Sequence, residues 1–221
     1  MKILRLLPLL TCVLLACTTD SYKTGEGKYS KMLTDFAELS VNGDKKGVSF
    51  VTDDGASYTF TKPYEGQWIE TADTVYRILV YYNKVEENKA ELVQMGNLRT
   101  LIPCQPDEIE NPRQDPAGLE AVWVANNGKY INIGLLLKNG RDEQGEEGRH
   151  KLAIVCDEIR QNPDQTRTAC YRLLHDQEDT PQYYTNRHYF SILLPEERPD
   201  SVLLTMITYD GTIKKKLAIP Q

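Results

Sequence analysis

Hydrophobic and polar residues alternate along most of the chain after residue 30, with the period of two that is typical of half-buried β-strands. The clearest pair of runs is "GVSFVTDDGASYTF", residues 47–60. A three-residue "DDG" loop would put Gly55 in the left-handed conformation that such hairpins need, and one face would be apolar. The cross-strand pairs that this loop predicts are Phe50 with Tyr58 and Val48 with Phe60.

Three further runs in the first half have the same character. They are "MLTDFAELSV", "TVYRILVYYNKV" and "AELVQMGNLRTLI". With the hairpin they make five strands within about 75 residues, a number and spacing that suit a small closed or partly open barrel.

The segment "PCQPDEIENPRQDPAG", residues 103–118, interrupts this pattern with four prolines and no apolar periodicity. Proline removes a backbone donor and breaks both helices and central strands. We therefore predict a barrel domain over residues 29–103, a linker over residues 104–118 and a second domain over residues 119–221.

The second domain also consists of strands. Asn127-Gly128 and Asp210-Gly211 are dipeptides that favour tight hairpins. The runs "KLAIVCDEI", "RTACYRLLHD" and "RHYFSILLP" add three strands, so that seven strands in about 100 residues predict a β-sandwich. As two-residue loops, the dipeptides predict the pairs Val124 with Ile131, Val122 with Ile133, Leu204 with Leu217 and Val202 with Ile219.

The N-terminus carries a targeting signal. Lys2 and Arg5 precede an apolar run that ends at Ala16 and is too short to span a membrane. Its end, "LLAC", resembles the lipobox of bacterial lipoproteins, which implies cleavage after residue 16 and acylation of Cys17. An ordinary signal peptide and an uncleaved anchor are the alternatives. Residues 17–28 are polar and are predicted to be a flexible tether.

Charge narrows the range of partners. The 221 residues include 26 basic and 32 acidic side chains, and loss of residues 1–16 removes two basic ones, leaving a formal charge of −8. An acidic surface repels phosphate backbones, so we expect no nucleic-acid partner. We expect a lipid-anchored protein of the cell envelope, most readily in the outer membrane, with the periplasmic and surface faces both open.

Several segments together resemble the NigD-like lipoproteins. In the first half they are "FVTDDGASYTF" and "VYRILVYYNK", and in the second "WVANNGKYINIGLLL", "RHYFSILLP" and "LLTMITYDGTI". The resemblance implies an all-β fold, with an OB-type five-stranded barrel followed by a seven-stranded β-sandwich. It also implies a bacteriocin-immunity type of role, which was proposed for that family from its gene neighbourhood, and it supplies no catalytic residues.

No catalytic constellation can be read from the sequence. His150, His175 and His188 lack the spacing of a metal site, and the acidic segment 139–150 lacks the pattern of a calcium loop. There is no nucleophile elbow. We therefore predict no catalytic residue, no metal and no cofactor.

Two cysteines and four aromatic residues are candidates for other roles. Cys156 and Cys170 are equidistant from Pro163, so a hairpin turning there would oppose them, as a disulfide or as two small apolar side chains. Stacking of a ligand on exposed rings is the alternative to core packing for the aromatic residues. These candidate ligand-binding residues are Tyr64, Trp68, Tyr183 and Tyr184.

Three classes of function are compatible with these features. The one we favour is a binding module for a protein or peptide, including a bacteriocin-immunity factor, anchored to the membrane by its lipid. The second is a surface lipoprotein that binds a glycan or small ligand. The third, a hydrolase with an unrecognised site, has no supporting motif.

Overall fold

The computed structural model describes residues 31–220, and these residues form an all-β protein. The all-β fold class is thereby confirmed. The strands are β1 (Met32–Val41), β2 (Gly47–Thr52), β3 (Ser57–Tyr64), β4 (Val75–Glu86), β5 (Lys89–Asn97), β6 (Thr100–Leu101), β7 (Gly118–Val124), β8 (Tyr130–Asn139), β9 (Lys151–Gln161), β10 (Arg167–Asp176), β11 (Tyr184–Leu193), β12 (Ser201–Thr208) and β13 (Gly211–Ala218).

The first five strands close into a barrel in the order β1-β2-β3-β5-β4, as predicted. The β2–β3 hairpin turns through a three-residue loop, with Gly55 at φ +84°. Phe50 pairs with Tyr58 as expected, whereas the register shifts before Ser49 and removes the expected pairing of Val48. The barrel is filled by fully buried side chains, including Leu39, Phe50, Ile78 and Tyr82.

Two four-stranded sheets follow the barrel, in the orders β13-β12-β10-β9 and β6-β11-β8-β7. Strands β7 to β13 are the seven strands that the sequence predicts. The eighth, β6, is only two residues long and pairs in parallel with β11, so that Thr100 lies beside Ser191. One core of aliphatic residues, including Ile131, Ile133, Ile154 and Leu204, fills the space between the sheets.

The two predicted hairpins of the sandwich have different outcomes. In the β7–β8 hairpin Val124 pairs with Ile131, so the expected register is confirmed. In the β12–β13 hairpin Thr208 pairs with Gly211, and the expected register is wrong by two residues. The turn there is Tyr209-Asp210, closed by a hydrogen bond from Thr208 Oγ1 to the Gly211 carbonyl at 2.7 Å. A shift of two preserves the faces, since side chains alternate with a period of two.

Strand β8 lies between the sandwich core and the barrel, and nearly all of its residues are buried. On the barrel side, Phe36 of β1 packs edge-to-face on Trp123 at 5.1 Å and on Tyr189 at 5.6 Å. An aromatic cluster of this kind contributes area burial and favourable ring geometry. The barrel is therefore in close contact with the outer face of one sheet.

A buried ion pair lies in the same contact. Arg77 of β4 donates two hydrogen bonds to Asp53, at 2.6 and 2.7 Å, and a third to Ser191 Oγ at 3.0 Å. Its remaining partner is Asn132 Oδ1 at 3.0 Å, and its guanidinium lies 4.0 Å from the centroid of the Tyr130 ring. A charge this deeply buried is tolerated only when its donors are satisfied, and here the acceptors come from both the barrel and the sandwich.

The proline-rich segment runs along the sandwich. The Cys104 amide donates to the Ile154 carbonyl, and its own carbonyl accepts from the Cys156 amide, both at 2.9 Å. Farther along, the Asp115 amide donates to the His175 carbonyl at 2.8 Å. The described residues from Met32 onward group as one compact unit. The division at residues 103 and 118 stays a prediction.

Cys17, the predicted signal (residues 1–16) and the tether (residues 17–28) lie outside the described residues. Among residues 31–220 there is no helix with the length and apolar character needed to cross a membrane.

Candidate binding groove

Tyr64 and Trp68, two of the candidate ligand-binding residues, form an internal aromatic cluster on the barrel. Trp68 Nε1 donates to the Tyr64 hydroxyl at 3.1 Å, and its ring meets Tyr76 edge-to-face at 5.4 Å. The Tyr76 hydroxyl in turn accepts from the amides of residues 70 and 71. All three rings pack against the barrel core, so this loop is held by its own aromatic residues.

Tyr183 and Tyr184, the other two candidates, lie at the start of β11. Tyr183 is 78% exposed and Tyr184 is 41% exposed. The Tyr184 hydroxyl donates to Glu147 at 3.4 Å. The structure therefore leaves these rings accessible and far from the barrel cluster along the chain, and their role in binding stays a prediction.

Cys156 and Cys170 do not oppose each other, so that expectation is wrong. A β-bulge on β9 adds one residue, and Cys156 pairs with Tyr171 while Cys170 pairs with Glu158. Because consecutive residues of β10 alternate between faces, Cys156 packs against the sandwich core and Cys170 lies on the outer face. Both are free thiols, and burial raises the pKa of each.

The three histidines meet at one end of the sandwich, although their sequence spacing gives no sign of it. His150 Nδ1 lies 2.8 Å from His175 Nε2, and His150 Nε2 lies 2.9 Å from Asn139 Oδ1. The Asn139 amide also approaches His188 Nε2 at 3.3 Å. We call these four residues the histidine plug.

Hydrogen bonding fixes part of the protonation of the histidine plug. His175 Nδ1 lies 3.1 Å from the Asp115 carbonyl, which accepts only, so this nitrogen carries hydrogen. Among the described residues, no three His, Cys, Asp or Glu side chains are arranged to hold a metal ion. The absence of a metal stays a prediction.

A shallow apolar groove opens at one edge of the sandwich, between β6 and β9. Its volume is about 250 Å³. Two exposed isoleucines form its rim: Ile102 is 69% exposed and Ile159 is 62% exposed. We call it the apolar groove, and its lining residues are Ile102, Pro103, Gln105, Cys156, Ile159, Tyr171, Leu193, Leu194 and Pro195.

The bulge in β9 explains why Ile159 is in the groove. Ile159 pairs with Ala169, which is buried in the core, so it is on the core-facing side of the sheet. Strand β9 is the last in its sheet, and the opposing sheet ends at the two-residue strand β6. Ile159 therefore points past the edge of the opposing sheet. A regular alternation from Leu152 and Ile154 would have put it on the other face.

The apolar groove is bordered by a partly free strand edge. Cys104 pairs with Val155 in parallel, so the proline-rich segment covers the outer edge of β9 at this point. Beyond it, no described strand pairs with residues 157–161 on the side away from β10. Charged side chains of this stretch neutralise one another, because Asp157 binds Arg172 and Glu158 binds Arg160.

Comparison with known proteins identifies relatives only at the level of structure. No protein-family model and no curated protein matches the chain. A NigD-like immunity protein from Bacteroides caccae superposes with a TM-score of 0.65 and 19% identity, over 86% of this chain and 98% of its own.

Two more solved structures superpose in the same way. One is a candidate toxin-related protein from Parabacteroides distasonis, with a TM-score of 0.64 and 16% identity over 84% of this chain and 92% of its own. The other is a candidate lipoprotein from Bacteroides fragilis, with a TM-score of 0.60 and 13% identity over 86% and 99%. Identities this low establish a shared fold, and a fold does not determine function. The barrel-plus-sandwich fold expected from the NigD-like resemblance is confirmed.

Proposed function

We propose that this protein is a lipid-anchored, non-enzymatic protein of the cell envelope that binds a protein partner through the apolar groove. The observation that carries the proposal is the position of two largely exposed isoleucines beside a strand edge with free backbone groups. Backbone donors and acceptors on such an edge can add an extended segment of another chain, while neighbouring pockets take its side chains.

The size of the apolar groove favours a protein segment over an enclosed small molecule. Pockets that enclose small ligands measure about 300–1,000 Å³. At about 250 Å³ and open to solvent, the groove has room for one or two apolar side chains. Its lining is mainly aliphatic, which matches the core of a protein interface better than it matches a glycan.

Ile102 and Ile159 are also unusual for a free surface. Exposed apolar residues that lie together and border a pocket mark interaction sites more often than isolated ones do. The neutralised Asp157–Arg172 and Glu158–Arg160 pairs remove the charge that would otherwise repel a partner strand at this edge.

Two groups among residues 31–220 could be considered for catalysis, the Cys156 thiol of the apolar groove and the histidine plug, and neither is suited to it. Burial raises the pKa of the Cys156 thiol, and Asp157 raises it further, which opposes formation of a thiolate nucleophile. In the histidine plug, both ring nitrogens of His150 and both of His175 lie within hydrogen-bond distance of each other, of Asn139 or of a backbone carbonyl. A general base needs a free position facing a substrate.

The names of the similar structures support a proteinaceous partner. Those proteins include one described as an immunity protein and one described as toxin-related. A peptide or protein toxin bound in an extended conformation is therefore the partner we propose, in a bacteriocin-immunity type of role. The "LLAC" sequence supports acylation of Cys17, which would hold the protein at the membrane.

Photo-crosslinking in the bacterium that makes the protein tests this proposal. Benzoylphenylalanine replaces Ile159 in one variant and Val75, which is 57% exposed on the barrel, in a matched control. We expect a discrete crosslinked protein from position 159, lost when Ile102→Asp is added, and none from position 75. The same product from both positions, or none from position 159, would contradict the proposal.

A further inference from the structure

A second groove lies at the opposite edge of the sandwich, and we propose that it binds a small amphipathic anion. Its volume is about 540 Å³, twice that of the apolar groove. We call it the cationic groove. The residues that carry the argument are Leu119, Leu136, Lys138, Tyr209, Ile213 and Lys215.

The strand topology creates this groove. Strand β7 begins at Gly118, which pairs with Leu136, so β8 continues beyond its partner on that side. The turn of the β12–β13 hairpin lies over the exposed end of β8.

The floor of the groove is apolar. Leu119 and Leu136 come from the β7–β8 hairpin, and Ile213 comes from β13. Leu119 and Ile213 are partly buried and pack against the sandwich core, which makes this floor part of the rigid interior. An apolar ligand body placed here would gain by leaving water, at about 25 cal/mol for each Å² removed.

The walls supply positive charge. Lys138 Nζ lies 4.4 Å from the centroid of the Tyr209 ring, a cation–π contact that orients the ammonium group. Among the described residues neither Lys138 nor Lys215 has a carboxylate within ion-pair distance, unlike Lys129 and Lys151.

The net charge of the groove is opposite in sign to the net charge of the whole chain. The chain has a formal charge of −6, whereas this groove has two lysines against the single carboxylate of Asp210. Local excess of the opposite charge concentrates anions at a site. A ligand with one anionic group and an apolar body would pair its charge with the lysines and place its body on the apolar floor. The volume of the groove falls within the range of ligand pockets.

The probe that tests this inference is 8-anilinonaphthalene-1-sulfonate, an amphipathic anion whose fluorescence reports binding. Its neutral analogue N-phenyl-1-naphthylamine lacks the sulfonate. The test variant is K138Q/K215Q. The matched control is K214Q/K216Q, which removes the two lysines that flank Lys215 on β13 and do not line the groove. The Ile159→Asp variant separates this groove from the apolar one.

We expect the sulfonate to bind the wild type, the K214Q/K216Q control and the Ile159→Asp variant alike. The K138Q/K215Q variant should bind it about tenfold more weakly, since each ion pair at an exposed site contributes up to about a factor of five. The neutral analogue should distinguish none of the variants. Circular dichroism and urea unfolding establish that each variant is folded.

Three outcomes would overturn the inference. They are no saturable binding of the sulfonate to the wild type, equal weakening in both lysine double variants, and loss of binding in the Ile159→Asp variant alone. The last would place the probe in the apolar groove and leave the function proposed for that groove untouched.

Discussion

At the scale of single residues, the histidine plug is the feature that sequence spacing hides most completely. His150, His175 and His188 are on separate segments, and they meet because the registers of β8, β10 and β11 bring their ends together. Asn139, which connects two of the rings, had no motif to single it out. Side-chain convergence between distant segments depends on register, and register is a property of the whole sheet.

The plug predicts how stability depends on pH. Burial lowers the pKa of His150 and of His188, and the neighbouring histidines lower that of His150 further. The charges of Glu178, which faces His150, and of Glu147, which faces His188, act in the opposite direction and are outweighed.

We expect the contribution of these histidines to the unfolding free energy to be fully present above about pH 7 and to be lost progressively as the pH drops toward about 5. In this range the two histidines take up protons in the unfolded chain, where their pKa is near the ordinary value of about 6.5, whereas the lowered pKa values of folded His150 and His188 delay that uptake. The variant His188→Leu removes one such group beside Phe190 and should show a smaller loss. Urea unfolding at several pH values measures this, and identical pH dependence in both proteins would contradict it.

Arg77 shows the same limit of residue-level prediction. Arginine is among the residues that are least often buried, yet the side chain of Arg77 is only 2% exposed because Asp53 and the sandwich surround it. In contrast, the pairing of Phe50 with Tyr58 could be predicted, because it depends only on a short loop.

At the scale of elements, alternation predicted the strands well and irregularities poorly. The bounds of β1 and β10 coincide with the sequence runs. The β9 bulge and the two-residue shift in the β12–β13 hairpin had no signal in the sequence. Bulges are concentrated at sheet edges, and β9 is the last strand of its sheet. The bulge determines the face on which Ile159 lies, and so its place in the apolar groove.

Gly128 gives a test of the β7–β8 hairpin. It has φ +64°, and a Cβ atom there would lie 2.5 Å from the Pro220 carbonyl oxygen. Replacement by alanine should therefore cost about 1–2 kcal/mol for the left-handed conformation and about 1–3 kcal/mol more for the steric overlap. Urea unfolding measures the change.

Gly55 is the matched control for this substitution. It has φ +84°, and no atom lies within 4 Å of the position a Cβ would take. Gly55→Ala should therefore lose only the conformational part. Equal destabilisation by the two substitutions would show that the contact with the C-terminal residues is not important to the hairpin.

At the scale of the whole molecule, the barrel and the sandwich are joined more closely than a proline-rich linker suggests. The contact includes the aromatic cluster around Phe36 and the buried network around Arg77. Composition predicted two groups of strands, and it gave no indication of which faces would meet. That depends on complementary shapes and on the satisfaction of one buried charge.

This arrangement concerns function because it leaves the two edges of the sandwich uncovered. The barrel covers one face of one sheet, and the apolar and cationic grooves lie at opposite edges. Binding at an edge would need no movement of the barrel, so we expect the partner to meet a preformed surface.

The most direct test of the central claim is hydrogen exchange of the protein alone and in complex with its partner. The partner is the protein that the crosslinking experiment identifies, purified separately in its free form. We predict that backbone amides within residues 157–161 on the free edge of β9 exchange rapidly in the isolated protein and become protected in the complex. The amides of β13, at the opposite edge, should be unchanged. Protection confined to the barrel or to β13, with no change in residues 157–161, would contradict the proposal that this protein binds its partner at the apolar groove.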